Sequence, residues 1–235
     1  MDAIVLCSGG LDSVVTAFYV KKQLGARKMI ILFFNYGQKS LISERKFSRL
    51  CAEIMGAKFM ELKLDELAKL STSLINKNGK VNIVKRRDLK NTSRSIKDWY
   101  VPFRNTIFLS YGLALAESLM IKSGDRYDIF TGFKNEGREA YPDTTKEYLK
   151  KINELQKTAG GKSSVKAPLI DKDKEDIVLL GRILGVDFTK THSCYISNKH
   201  CGYCLACRLR QEGFYWANVK DATSYKIKMK DFRVA

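Results

Sequence analysis

The chain predicts an α/β fold in three layers, a parallel sheet with helices on both faces, plus a cysteine-bearing element near the C-terminus. Two observations predict the sheet. Short apolar runs rich in β-branched and aromatic residues alternate with segments whose apolar residues recur at helical spacing. Strand–helix–strand repetition in that order makes parallel neighbours covered by their own crossovers. A third observation concerns the far end, where four of the six cysteines fall within residues 194–207.

Each element follows from its local pattern. "DAIVLC" (2–7) opens as a strand, and "LDSVVTAFYVKKQLG" (11–25) follows as a helix with Leu11, Val14, Val15, Phe18 and Tyr19 at helical spacing and Gly25 as its stop. "KMIILFFNYG" (28–37) is a second, buried strand. The next helix carries Phe47, Leu50, Cys51 and Ile54 on one face and ends near Gly56, before a third strand, "KFMELKL" (58–64). Residues 65–100 are polar, basic and irregular, an excursion from the sheet. "NTIFLSYGLALAESLM" (105–120) is apolar nearly all round, which predicts a buried helix. "YDIFTGF" (127–133) is the next strand, and "DKEDIVLLGRILG" (173–185) and the stretch around "RLRQEGFYWANV" (208–219) are helices. The expected division is a main domain over residues 1–190 and a cysteine loop with a helix packed on it over 191–235.

Composition narrows the class. A 45% hydrophobic fraction with only 3 prolines in 235 residues suits a packed core rather than a disordered chain. The run Ile4 to Cys7 is too short for a signal-peptide core, and no window approaches the ~18 apolar residues of a membrane span. A cytoplasmic protein with no membrane partner is expected. Lys and Arg outnumber Asp and Glu by 42 to 25, a net charge of +17. Residues 77–104 hold Lys77, Lys80, Lys85, Arg86, Arg87, Lys90, Arg94, Lys97 and Arg104 against Asp88 and Asp98. Such charge suits polyanions, but a solvated lysine-rich surface explains it as well, so nucleic-acid contact is not the favoured expectation.

The turn "SGGLDS" (8–13) stands at the carboxyl end of the first strand, where ligands of parallel sheets gather. Ser8, Gly9 and Gly10 can turn backbone N–H groups toward an anion, and Asp12 or Ser13 can cap a helix whose positive end favours phosphate. The G-K-[ST] ending of a Walker loop is missing, and the pattern is not G-x-G-x-x-G. A tight strand-to-helix turn would use the same glycines, so the pattern alone leaves both readings open.

"CYISNKHCGYCLAC" spaces Cys194, Cys201, Cys204 and Cys207 so that four thiolates can converge on one ion, with Gly202 suited to the sharp turn. One structural Zn²⁺ is expected; an iron–sulfur cluster is the chemical competitor, since four thiolates serve both. A closed four-thiolate site has no open coordination position and implies a folding role. Cys7 and Cys51 stand alone and read as small buried hydrophobes.

With these pieces in place, "SGGLDS" resembles the pyrophosphate loop of the N-type ATP pyrophosphatases, which cut ATP between its α- and β-phosphates. "FNYGQ" (34–38), "YVPFRN" (100–105), "AYPDT" (140–144) and the run "SVKAPLIDKDKEDIV…THSCY…HCGYCLACRLR" complete an ordered set that resembles the 7-cyano-7-deazaguanine synthase (QueC) family over residues 3 to about 217. The resemblance implies an adenine nucleotide alpha hydrolase-like fold, with ATP and its Mg²⁺ at the loop Cys7, Ser8, Gly9, Gly10, Leu11, Asp12 and Ser13. It implies an ATP-dependent ligase converting 7-carboxy-7-deazaguanine and ammonia to the nitrile through an adenylate, commonly as a homodimer. Ser8 and Ser13 would hold the departing pyrophosphate, Asp12 would sit near the phosphates or Mg²⁺, and Lys39 or Arg104 would neutralise charge on the α-phosphate. Tyr36 and Gln38 would contact nucleotide or base, and Asn105, Tyr141 and Asp143 the deazaguanine. One departure from the family pattern lies at Gly137, Arg138, Glu139 and Thr145, so the alternative is a related pyrophosphate-loop enzyme that adenylates another carboxylate or modifies tRNA directly.

Overall fold

The computed structural model describes residues 1–90, 97–134 and 141–227. Five parallel strands, β1 (Asp2–Leu6), β2 (Met29–Asn35), β3 (Lys58–Lys63), β4 (Tyr127–Phe130) and β5 (Val165–Lys166), form one sheet in the order β3-β2-β1-β4-β5. Ala3 lies opposite Met29 on one side and Asp128 on the other, which places β1 at the centre. Strand alternation then sorts the core. Ala3, Val5, Ile31 and Phe130 face one layer, and Ile4, Ile30, Leu32 and Ile129 face the other.

The first layer holds α1 (Leu11–Lys22), α2 (Leu41–Met55) and, later in the chain, a helix at Lys174–Ile183, packed through Val14, Phe18, Ala52 and Ile177. The second holds α3 (Asp65–Leu70), α4 (Arg104–Ser123) and α5 (Lys146–Thr158), packed through Leu67, Leu109, Ala116 and Ile152. The helix at Lys174–Ile183 is α6, and α7 (Leu205–Trp216) closes the chain's described part. Phe214 of α7 joins the first core cluster, while Leu205 and Cys207 join the second. Thus α7 fastens both layers at one end of the sheet. Among the described residues no helix is long and apolar enough to cross a membrane.

Three local expectations change. α4 is not buried all round: Asn105, Leu109, Gly112 and Ala116 make one buried stripe, whereas Tyr111 and Ile121 are exposed. The stripe approaches the sheet through Gly112, where a Cβ would stand 3.5 Å from Leu6 and Ile129. On α2 the inward face is Glu44, Ser48, Cys51, Ala52 and Met55, with Ile54 exposed. The Ser48 hydroxyl donates to the Cys7 carbonyl at 2.8 Å, tying that face to the end of β1. Residues 65–100 contain α3 and a short 3₁₀ turn at Arg86–Lys90; Arg94 lies outside the described residues. The helix α5 has no counterpart in the sequence reading. Thr145 starts it as an N-cap, accepting the Tyr148 N–H at 3.1 Å.

Strand order reverses between β1 and β4, and such a switch point opens a crevice at the strands' carboxyl ends. Ile129, fully buried on β4, packs against Gly112 of α4. Ile129→Ala should cost about 2–5 kcal/mol of unfolding free energy without changing the fold, read from urea midpoints at constant m.

Candidate active site

β1 passes into α1 through a left-handed Gly9, with φ +73°. A Cβ at Gly9 would lie 2.8 Å from the Glu44 carbonyl and the Ser48 nitrogen, so the backbone of α2 is pressed against the turn. From the other side Gly132 closes in after β4, where a Cβ would meet the Ser13 nitrogen at 3.0 Å. The His192 N–H donates to the Gly9 carbonyl at 2.8 Å. Three distant segments therefore clamp the loop.

The N-cap of α1 is Gly10, and no side chain caps it. Neither Asp12 nor Ser13 takes the capping role expected of them. The Ser13 hydroxyl donates back to the Gly10 carbonyl at 3.1 Å and lies 3.4 Å from the Ser8 hydroxyl. Both Asp12 oxygens accept from Lys174 Nζ at 2.7 Å. The first-turn N–H groups are left without a side-chain acceptor, the arrangement that receives an anion.

A cavity of about 540 Å³ opens here, a size suited to a small-molecule ligand. It gathers Cys7, Ser8, Gly10, Leu11, Asp12, Ser13, Tyr36, Arg104, Asn105 and Tyr141 on one wall or another. Hydrogen bonds run from Arg104 Nη1 to the Tyr36 hydroxyl at 3.4 Å and from Arg104 Nε to Asn105 Oδ1 at 3.3 Å. Burial pushes the Tyr36 phenol up to about 12, so it stays neutral. Arg104 follows Phe103, a non-glycine residue held at φ +57°, a strained conformation beside the pocket.

Other expected residues sit elsewhere. Gln38 is buried behind the wall: its amide donates to the Phe34 carbonyl and to Glu44 Oε2, both at 3.0 Å, and its oxygen accepts the Tyr36 N–H at 2.9 Å. Lys39 points outward, donating to the Lys77 carbonyl at 2.6 Å. Asp143 lies beneath the pocket, its carbonyl accepting from Asn105 Nδ2 at 3.5 Å, with carboxylate oxygen Oδ1 buried and unpartnered. Burial raises its pKa. Gly137, Arg138 and Glu139 lie outside the described residues.

The pocket also recruits Glu44, Lys134, Lys174 and His192, which the sequence reading did not single out. Lys174 had a signal: a lysine in the first turn of α6 opposes the helix dipole and needs a partner. Lys134 and His192 had none, because their place depends on the strand order.

The four sulfurs of Cys194, Cys201, Cys204 and Cys207 lie within 4.8 Å of one another and all are buried. Backbone N–H groups of Tyr203 and Cys204 donate to Cys201 Sγ at 3.4 and 3.3 Å. Hydrogen bonds with Cys194, Cys204 and Cys207, together with the Tyr203 N–H, hold Cys201 well below the ordinary thiol range. Four soft donors at this spacing fit a tetrahedral thiolate-bound metal. His200 stands aside, its Nε2 accepting the Ser193 N–H at 3.1 Å. Burial, with Arg210 nearby, lowers its pKa to about 3. Leu205, Ala206 and Leu209 continue from the cluster into the pocket wall, so the cysteine loop buttresses the glycine loop.

Fold and site together define a doubly wound α/β protein with an uncapped glycine loop at its switch point and a four-cysteine cluster behind it. The chain belongs to the QueC family: the model described as queuosine biosynthesis protein QueC matches residues 2–218. The 7-cyano-7-deazaguanine synthase of Methanosphaera stadtmanae is 36% identical over 230 residues, covering 95% of this chain and 98% of the relative. That of Nitratiruptor sp. is 39% identical over 232 residues, covering 96% and 99%. Among solved structures, a 4-thiouridine synthetase–RNA complex with bound ATP aligns at 19% identity and TM-score 0.47, over 83% of this chain and 43% of that one, a likeness that carries no weight here.

Two outcomes follow from this geometry. Gly9→Ala should destabilise the protein by about 1–3 kcal/mol and abolish nucleotide binding, read by denaturant titration and equilibrium dialysis with ATP. Asp143 has its folded pKa raised by burial, so its contribution to stability is present at acid pH and is lost as pH rises through the folded value. Asp143→Asn should therefore raise the melting temperature of the ligand-free protein at neutral pH and flatten the fall in stability between acid and neutral pH.

Proposed function

We propose that the pocket converts 7-carboxy-7-deazaguanine, ATP and ammonia to 7-cyano-7-deazaguanine. One observation carries the reading: the uncapped glycine loop shares a single cavity with Arg104, Asn105 and Tyr141, in a chain that matches the QueC family almost end to end. The β- and γ-phosphates sit on the backbone N–H groups of Gly9 to Ser13 and the α1 terminus, with the Ser8 and Ser13 hydroxyls donating. Asp12 and Lys174 hold each other in place until Mg²⁺-bound ATP engages them.

The chemistry needs no side-chain nucleophile. A substrate carboxylate oxygen attacks the α-phosphorus and pyrophosphate departs into the loop. Arg104, which lines the cavity as Lys39 does not, offsets charge developing on the α-phosphate. Ammonia displaces AMP to give the amide; a second adenylation of the amide oxygen, followed by loss of AMP and protons, gives the nitrile. The unpartnered Asp143 oxygen and Asn105 supply an acceptor and an amide for the N–H-rich edge of the deazaguanine. Positioning and charge stabilisation carry the rate.

Cys194, Cys201, Cys204 and Cys207 would hold one zinc ion, which when bound supplies a structural cross-link. The same reading takes the protein as a cytoplasmic homodimer, supported by the exposed Tyr111 and Ile121 of α4.

Incubation with ATP, ammonium and 7-carboxy-7-deazaguanine should yield AMP and the nitrile by mass spectrometry. Acid-dependent AMP without nitrile would point to a different amine or acid, and AMP formed only with bulk tRNA would sink the reading. Asp12→Asn should abolish turnover with the circular dichroism spectrum unchanged. Chelation of the unfolded protein should release about one zinc per chain, and two per chain or iron would reject the single closed zinc site.

A further inference from the structure

The stretch between Cys194 and Cys201 makes two contacts that lead back to the glycine loop. His192, just before the first cysteine, donates its backbone N–H to the Gly9 carbonyl at 2.8 Å. Its ring Nε2 lies 2.9 Å from the Ser197 carbonyl, an atom that only accepts, so Nε2 carries the proton. The ring also lies parallel to that of Phe47 on α2, with centroids 6.3 Å apart. Asn198 reaches α2 itself. Its Oδ1 accepts the Ser43 N–H at 3.1 Å, and its carbonyl accepts from the Ser43 hydroxyl at 2.7 Å.

Asn198 thereby caps α2 from outside the helix. Ser43 stands in the first turn, and its N–H is among those a helix leaves without an internal acceptor. The N-cap residue normally supplies that acceptor. Ser40, at the N-cap, does not, since its hydroxyl donates to Glu44 Oε1. The acceptor comes instead from a residue 155 positions away. The capped turn leads into the part of α2 that presses on Gly9, where a Cβ would lie 2.8 Å from the Glu44 carbonyl. The loop carrying Ser197 and Asn198 is bracketed by Cys194 and Cys201, two of the four buried sulfurs within 4.8 Å of one another. A cross-link between the ends of such a loop removes most of the conformations it could otherwise sample.

We propose that metal loading of the four cysteines and ATP binding at the glycine loop are thermodynamically coupled, with Asn198 and His192 as the positioning residues that carry the coupling. This rests on the nucleotide and the metal of the preceding subsection. With Cys194 and Cys201 held on one ion, the loop between them is fixed. The fixed loop holds the first turn of α2 through Asn198 and the His192 ring through Ser197. Those two in turn hold Gly9 in its left-handed turn. With the cysteines unlinked, the cap and the ring bond form only at the cost of ordering the loop. The phosphate-receiving turn is then populated in fewer molecules, and apparent ATP affinity falls by that fraction. Asn198 is exposed and lies outside the pocket, so its influence passes through α2.

The test reads ATP affinity of the full chain by equilibrium dialysis with Mg²⁺ present, zinc-loaded and after chelation, with circular dichroism reporting the fold. Loss of zinc should weaken ATP binding about 5–150-fold. Coupling is reciprocal, so saturating ATP should strengthen zinc binding by the same factor, measured by competition with a chelator. Asn198→Ala should retain about one zinc per chain yet weaken ATP binding about three- to thirty-fold. Asn198→Asp keeps the acceptor and should restore it. In zinc-stripped protein Asn198→Ala should change ATP affinity little, because the cap is already lost. Equal ATP affinity of the folded protein with and without zinc would overturn the coupling. So would an unaltered affinity in Asn198→Ala, or an Asn198→Asp as weak as the alanine variant. If the stripped protein unfolds, the zinc-loaded Asn198 variants decide the question alone. Failure of the zinc-loaded, unsubstituted protein to bind ATP overturns the reading of the preceding subsection, a result distinct from every outcome above.

Discussion

The contact between Gly9 and the first turns of α2 is the constraint on which the site depends. Only a residue without a Cβ can hold the left-handed turn while the Glu44 carbonyl and Ser48 nitrogen stand where a side chain would begin. That contact rotates α2 so that polar Glu44 and Ser48 face inward, at the expense of the apolar face its sequence would favour. It also leaves the N-terminus of α1 uncapped and open to the crevice. A helix end left uncapped at some cost in stability presents free N–H groups of the kind that suit an anion.

The second layer of the design is support from far along the chain. His192 and the α7 residues Leu205, Ala206 and Leu209 reach the loop only because the cysteine loop is closed over the sheet end. The four thiols belong to the same apolar cluster as Ile4, Leu32 and Ile129, so the set that could hold a metal is built into the core that carries the site. Lys134, Lys174 and Arg104 line the pocket, while the carboxylates of Glu44 and Asp143 are held beside Arg104, where burial raises both of their pKa values.

The parallel sheet, the glycine loop and the cysteine cluster were legible in the sequence because each is a local pattern: period-two apolar runs, two adjacent glycines, and a fixed cysteine spacing. Local reasoning failed where a side chain's job depends on its neighbours across the fold. Gln38 and Lys39 sit next to a strand end that feeds the pocket, yet one braces Glu44 and the other turns to the surface. Ile54 completes an apolar face on paper but is exposed, since α2 answers to Gly9.

By itself the sequence determined the fold class, the glycine turn at the end of the first strand and the four cysteines that can share one ion, because hydrophobic period and ligand spacing act over a few residues. Only the tertiary structure decided that Asp12 pairs with Lys174, that Asp143 keeps an unpartnered oxygen beneath the pocket, and that Glu44 stands in its wall braced by Gln38 and Ser40. Those facts arise where α1, α2, α6 and the turn before α5 converge, and contact between residues such as Asp12 and Lys174, 162 positions apart, leaves no periodic trace along the chain.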